Sequence, residues 1–149
     1  MSKRVAKRPS TKTKTKTHEI DVPGTLDGLI QLVTEFRTFA TSAGVSAPVQ
    51  RDMHAAIDEL VSNIILHGYG DDESGHRITA HVTCSKSALD VEIVDDSRAF
   101  DPLNEQPSRD EHGLQIGGFG IRLARHWVDE IRYTRRDDRN HLQLTKRRT

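Results

Sequence analysis

The feature that most constrains this chain is a change of hydrophobic period along it. Between Leu29 and Ile64 apolar residues recur every three or four positions, and between Ile78 and Ile93 every second one. A period near 3.6 marks a helix that buries one stripe, and a period of 2 marks a strand that buries one face. A chain of 149 residues carrying both is long enough for one compact domain in which helices pack against a sheet.

The order of elements follows from punctuation. His18–Val22 alternates and meets Pro23-Gly24, which predicts a short opening strand closed by a turn. Thr25 caps a first helix whose inward stripe is Leu29, Leu32, Val33, Phe36, Phe39 and Ala40, ending at Gly44. Pro48 suits an early position of a second helix, with Met53, Ala56, Ile57, Leu60, Val61 and Ile64 inward. His67-Gly68-Tyr69-Gly70 closes it with glycines suited to a left-handed cap. Ile78, Ala80, Val82 and Cys84 then alternate with polar residues, as do Leu89, Val91 and Ile93. Residues 101–117 hold Pro102, Pro107, Gly113 and Gly117 without a sustained period, which reads as a long loop of the kind that serves as a lid. Gly120–Val128 predicts a third helix, and Ile131/Tyr133 with Leu142/Leu144 a closing hairpin turning at Asp137–Asn140. The expected class is α+β: a two-layer sandwich with one mixed, mainly antiparallel sheet and helices on one face.

Charge divides the chain differently. Residues 1–17 hold seven of its 22 basic residues and none of its 22 acidic ones, so the remainder carries about −7 and the net neutrality is a cancellation. The Lys/Thr alternation offers nothing to bury, which predicts a disordered basic tail over 1–17 and a folded domain over 18–149. The tail reads either as a solubilising extension or as an arm for a nucleic acid or another acidic surface, which would make the chain a nucleic-acid-binding protein led by its tail. An acidic body would repel a polyanion, so no direct nucleic-acid partner is expected. No stretch approaches the roughly 20 apolar residues of a membrane span, no apolar core suggests a secretory signal, and a single Cys84 permits no internal disulfide. The expectation is a cytoplasmic protein.

Three clusters carry candidate chemistry. Glu59, Asn63 and His67 stand at i, i+4 and i+8 on the second helix, a polar ridge bordering the apolar stripe. The carboxylate suits proton transfer, and the amide oxygen suits Mg²⁺, which takes few protein ligands beside water and phosphate oxygens; ordinary boundary hydrogen bonding would give the same ridge. Val91–Pro102 delivers Asp95 to a strand end, where a carboxylate can accept a hydrogen bond from the adenine amine or simply satisfy a turn. Gly117-Gly118-Phe119-Gly120-Ile121 runs glycines into a helix start, a seat for phosphate or merely a flexible helix entry.

Taken together and in this order, the clusters resemble the N-box and the two glycine boxes of the GHKL ATPase superfamily. The wording resembles most the bacterial anti-sigma-factor serine kinases: Glu59-Leu-Val-x-Asn63 with His67, Asp95-Asp-x-Arg-x-Phe100-Asp-Pro102, Ile116-Gly-Gly-x-Gly120-Ile-x-Leu123, and Asp129-Glu-x-x-Tyr133 followed by Asn140-x-Leu-x-Leu144. The resemblance covers about residues 18–147 and implies the GHKL (Bergerat) fold. It implies ATP and Mg²⁺ as cofactors and Glu59 as the base that activates a serine or threonine hydroxyl. It implies Asn63 as the Mg²⁺ ligand, and nucleotide contacts from Asn63, His67, Asp95, Phe100, Gly117, Gly118, Phe119, Gly120 and Ile121. The implied partners are a sigma factor, a STAS-fold anti-sigma-factor antagonist as the substrate released on phosphorylation, and a second copy of the chain.

Two departures bear on activity. Family members usually place glycine where this chain has Ser97, and their lid often carries an arginine where Leu114, Gln115 and Ile116 stand here, Arg109 being the nearest upstream. The alternative within the same fold is therefore a nucleotide-gated anti-sigma binding protein that transfers no phosphate. A sensor histidine kinase core fits less well, because no dimerisation helices with a phosphoacceptor histidine precede the domain.

Overall fold

The computed structural model describes residues 14–69, 75–99, 101, 108–109, 112, 115–116 and 124–148. The first strand, β1 (Lys16–Pro23), opens two residues ahead of the expected start: Lys16 and Thr17 pair with Cys84 and Thr83. Helix α1 (Leu26–Ser42) begins where expected, with Thr25 accepting the Gly28 N–H at 3.0 Å. It ends at Gly44, whose φ of 77° lies in the left-handed region that favours glycine. Helix α2 (Ala47–Asn63) follows with Pro48 in its first turn.

Beyond Asn63 the helix widens instead of capping. Ile64–Gly68 forms a π turn, in which the Tyr69 N–H donates to the Ile64 carbonyl at 3.0 Å. Gly68 is not left-handed, contrary to the expected cap, and Gly70 lies outside the described residues.

Strands β2 (Arg77–Cys84) and β3 (Ala88–Asp95) come next, then a hairpin of two-residue strands, β4 (Ser108–Arg109) and β5 (Gln115–Ile116), inside the stretch read as a loop. Of the expected third helix the described part is 124–127, with Ala124 buried and Trp127 packed on the core. Strands β6 (Glu130–Arg136) and β7 (Arg139–Arg147) close the chain. Their turn is tighter than expected. Asp137 and Asp138 alone make it, at φ 53° and 56°, as a two-residue hairpin demands. Asn140 therefore lies in the strand rather than in the turn.

The main sheet has the order β1-β2-β3-β7-β6, and every described pairing in it is antiparallel, so the mixed character expected is not seen there. Helix α1 lies over β1 and β2, and α2 reaches β7. Between the layers sits one core built from the expected stripes: Leu29, Leu32, Phe36 and Ala40 of α1, Met53, Ile57, Leu60 and Val61 of α2, and the alternate residues of the strands. Full burial of each large aliphatic stabilises by about 1.5–3 kcal/mol. The opposite face of the sheet is polar, crossed by ion pairs such as His81–Glu19 at 3.5 Å and His141–Glu92 at 3.6 Å.

Candidate functional site

One end of the sandwich gathers polar groups into the core layer. Strand β3 places Leu89, Val91 and Ile93 inward, and the same alternation makes Asp95 the next inward residue, 2% exposed. Its register partner on β7 is Asn140, 3% exposed, and the partner of Asn140 on β6 is Arg135. These residues, far apart in sequence, meet because two antiparallel registers align them.

Hydrogen bonds fix the group in one arrangement. Tyr133 donates its hydroxyl to Asn140 Oδ1 at 2.5 Å, and Arg135 Nη1 donates to the same oxygen at 3.1 Å. With its carbonyl so engaged, Asn140 must turn its amino group the other way. Nδ2 reaches Asp95 Oδ1 at 3.1 Å, Ser97 Oγ at 3.0 Å and the Arg98 carbonyl at 2.9 Å. Among the described residues no buried side-chain nitrogen or oxygen lacks a partner, the condition under which a polar cluster at this depth is tolerated.

A shallow recess opens against this cluster. Leu60, Ile64, Tyr133 and Leu142 give it apolar walls, and Asn63, Asp95, Ser97 and Asn140 face it with polar groups. An apolar slot with a few convergent polar groups is suited to a flat heterocycle. The two predicted residues Asn63 and Asp95, from different layers, thus line one recess. The Asn63 amide is half-buried and makes no hydrogen bond to any described residue, so its oxygen is free for a cation or ligand. No cluster of three or more His, Cys, Asp or Glu among the described residues could hold a metal alone; an ion here would depend on Asn63 and on oxygens of a ligand.

Glu59 lies one helical turn before Asn63, half-buried, with no hydrogen bond or ion pair to a described residue. His67 is on the exposed side of the π turn and does not line the recess. Phe100, Gly117, Gly118, Phe119, Gly120 and Ile121 lie outside the described residues, and of Arg109 only the backbone is described, paired with Gln115.

Beside the recess Tyr69 is buried and stacks on His76, ring centroids 3.9 Å apart, while His76 Nδ1 lies 3.1 Å from Asp96 Oδ1. Burial, and then the charges of Asp95 and Asp96, push the Tyr69 phenol well above its usual range, so it remains a neutral hydroxyl. Sequence reasoning gave no role to Tyr69, His76 or Arg135. Tyr133 and Asn140 are expected there only as parts of a closing hairpin and as letters of a pattern, whereas the structure makes them the brace behind Asp95.

Comparison with known proteins shows which family the chain resembles. Residues 22–146 match the family model described as a histidine kinase-like ATPase domain. The chain is 34% identical over 105 residues to the serine/threonine-protein kinase BtrW of Bordetella bronchiseptica, covering 67% of this chain and 72% of that one. It is 25% identical over 100 residues to the serine-protein kinase RsbW of Listeria monocytogenes, covering 62% and 63%. It is 31% identical over 90 residues to the anti-sigma F factor of Clostridium novyi, covering 54% and 58%, so it spans less than two thirds of these last two relatives. Among solved structures, the RsbU and RsbW domains of a Mycobacterium tuberculosis protein superpose with a TM-score of 0.60 at 21% identity, covering 89% of this chain and 32% of that one.

Proposed function

The chain belongs to the family of histidine kinase-like ATPase domains, and from that membership we propose that it is an ATP-dependent protein-serine/threonine kinase and anti-sigma factor whose substrate is a STAS-fold anti-sigma-factor antagonist. The observation that carries this reading is the convergence of Asn63 and Asp95 on one recess, in a chain whose relatives are named serine and serine/threonine kinases and an anti-sigma factor.

The division of labour follows from the groups present. Asp95 accepts a hydrogen bond from the adenine amine, while Leu60, Ile64 and Leu142 enclose the ring. Asn63 holds Mg²⁺, which when bound neutralises phosphate charge and so favours phosphoryl transfer. Glu59 takes the proton of the incoming serine or threonine hydroxyl as that oxygen bonds to the γ-phosphorus and the bond to ADP breaks. Gly117, Gly118 and Gly120 seat the phosphates, with Phe100, Phe119, Ile121 and His67 completing the nucleotide contacts. The product is a phosphorylated antagonist, and a sigma factor is the alternative partner of the same kinase, which acts as a homodimer in the cytoplasm. No helix among the described residues is long and apolar enough to cross a membrane.

The test is single-turnover transfer from labelled ATP to a STAS-fold antagonist, run beside a nucleotide titration. In Glu59→Gln, which keeps size but not basicity, transfer should fall by about 10²–10⁴-fold with ATP affinity nearly unchanged. Full transfer in that variant removes Glu59 as the base. Binding of ATP and antagonist by the native protein without any transfer selects the non-catalytic, nucleotide-gated reading instead.

A further inference from the structure

Ser97 stands in the turn after β3, 5% exposed, at the edge of the recess and held from several directions. Its hydroxyl donates to Asp95 Oδ1 at 2.5 Å, and its backbone N–H donates to the same oxygen at 2.9 Å. The hydroxyl oxygen accepts from Asn140 Nδ2 at 3.0 Å, and its carbonyl accepts from Arg135 Nη1 at 2.9 Å. Gly68 of the π turn presses on it from the helical layer: a Cβ added at Gly68 would lie 3.0 Å from Ser97 Oγ and 3.1 Å from its Cβ.

The bonds to Asp95 from Ser97 N–H, Ser97 Oγ and Asn140 Nδ2 all fall on Oδ1. An ionised carboxylate has acceptor sites on both oxygens. Three donors converging on one of them fix the plane of the group and leave Oδ2 as the oxygen available to the recess. Resting on the nucleotide reading above, we infer that Ser97 is a positioning residue for base selection: it locks Asp95 so that Oδ2 meets the adenine amine and rejects guanine. Adenine presents an amino donor where guanine presents a carbonyl acceptor. Against a carboxylate that cannot rotate, the guanine oxygen leaves two buried acceptors facing each other, and such unpaired polar groups are what polar sites discriminate by. A carboxylate released at Oδ1 can swing aside and lose that discrimination. The serine, a departure from the family's usual glycine, thereby becomes part of the lock, and the missing side chain at Gly68 leaves room for it.

The experiment measures ATP and GTP affinities by competition against a fluorescent ATP analogue for the full chain, Ser97→Ala, Gly68→Ala and Asp95→Asn. The ratio of the two affinities does not depend on the folded fraction, so partial unfolding of a variant does not imitate the effect. Removing one hydrogen bond to a charged group should cost the ATP-to-GTP ratio about 10–100-fold in Ser97→Ala, mainly through weaker ATP binding. Gly68→Ala, which displaces the Ser97 hydroxyl without touching a ligand group, should move the ratio in the same direction. A wild-type ratio in both variants, with Asp95→Asn still losing its preference, overturns the role of Ser97 and leaves the nucleotide site standing. If the unaltered chain binds neither nucleotide, the nucleotide reading fails and this inference falls with it.

Discussion

The inward rows of β3 and β7 are apolar at one end and polar at the other, at nearly equal depth. Leu89, Val91, Ile93 and Leu144 are fully buried and Leu142 is 4% exposed; Asp95 and Asn140, further along the same rows, are 2% and 3% exposed. Depth therefore does not set the chemistry of a position. The apolar end is held by area and shape, and tolerates another aliphatic of similar volume. The polar end is held by partners, because a polar group at that depth is costly unless every one of its bonds is made. One end stabilises the fold broadly, and the other spends its interactions on a single geometry.

Substitution at each end should separate the two modes. The largest expected loss is at the apolar end: Leu144→Ala should lower stability by about 2–5 kcal/mol in thermal or urea unfolding, with the ATP-to-GTP ratio unchanged. A shift of that ratio would mean the ends are not independent. Next comes Asp95→Asn, expected to lose about 1–3 kcal/mol as the donors of Ser97 and Asn140 face an amide, together with the adenine preference. A loss of stability with the preference intact would reduce the polar end to scaffolding. Tyr133→Phe removes one of two donors to Asn140 Oδ1, and about 0.5–1.5 kcal/mol is expected, with a smaller loss of preference, since Arg135 remains. The smallest effect belongs to neither end. Glu19→Gln breaks an exposed pair with His81 and should change stability by less than about 1 kcal/mol, fading with added salt; a larger change would mean the outer sheet face contributes more than its exposure suggests.

The same contrast explains what the sequence disclosed. Most of what is held by area is legible, because burying a face leaves a period: the inward residues expected of α2, Met53 through Ile64, are all buried. Lys16 and Thr17 were missed as strand residues because an edge strand with both faces wet needs no apolar alternation, and Lys and Thr then look like tail. Asp95 and Asn63 were legible by type, at a strand end and on a ridge. Their brace was not, since Asn140 bonds Asp95 across 45 residues and Arg135 bonds Ser97 across 38, and such bonds leave no local pattern. Asn140 itself reads as a turn residue, because asparagine two positions after a pair of aspartates looks like one until the positive φ of Asp137 and Asp138 closes the turn on them alone. Gly68 misled in another way: it was read for its backbone freedom, and it serves by lacking a side chain against Ser97.

The π turn at Ile64–Gly68 has a consequence for how such a site can change over generations. A π turn holds one residue more than the α turn it replaces, so a helix can take up a one-residue insertion by forming one. Upstream of it Glu59 and Asn63 keep their spacing on an undisturbed α-helix; downstream, Gly68 and Tyr69 are displaced against Ser97 and the end of β3. A lineage that gains or loses that one residue re-seats the helix end against the acid while the proton acceptor and the amide stay where they were. The two halves of the ridge can thus drift separately, and relatives that differ by one residue here should differ in how they grip the base before they differ in how they handle the phosphates.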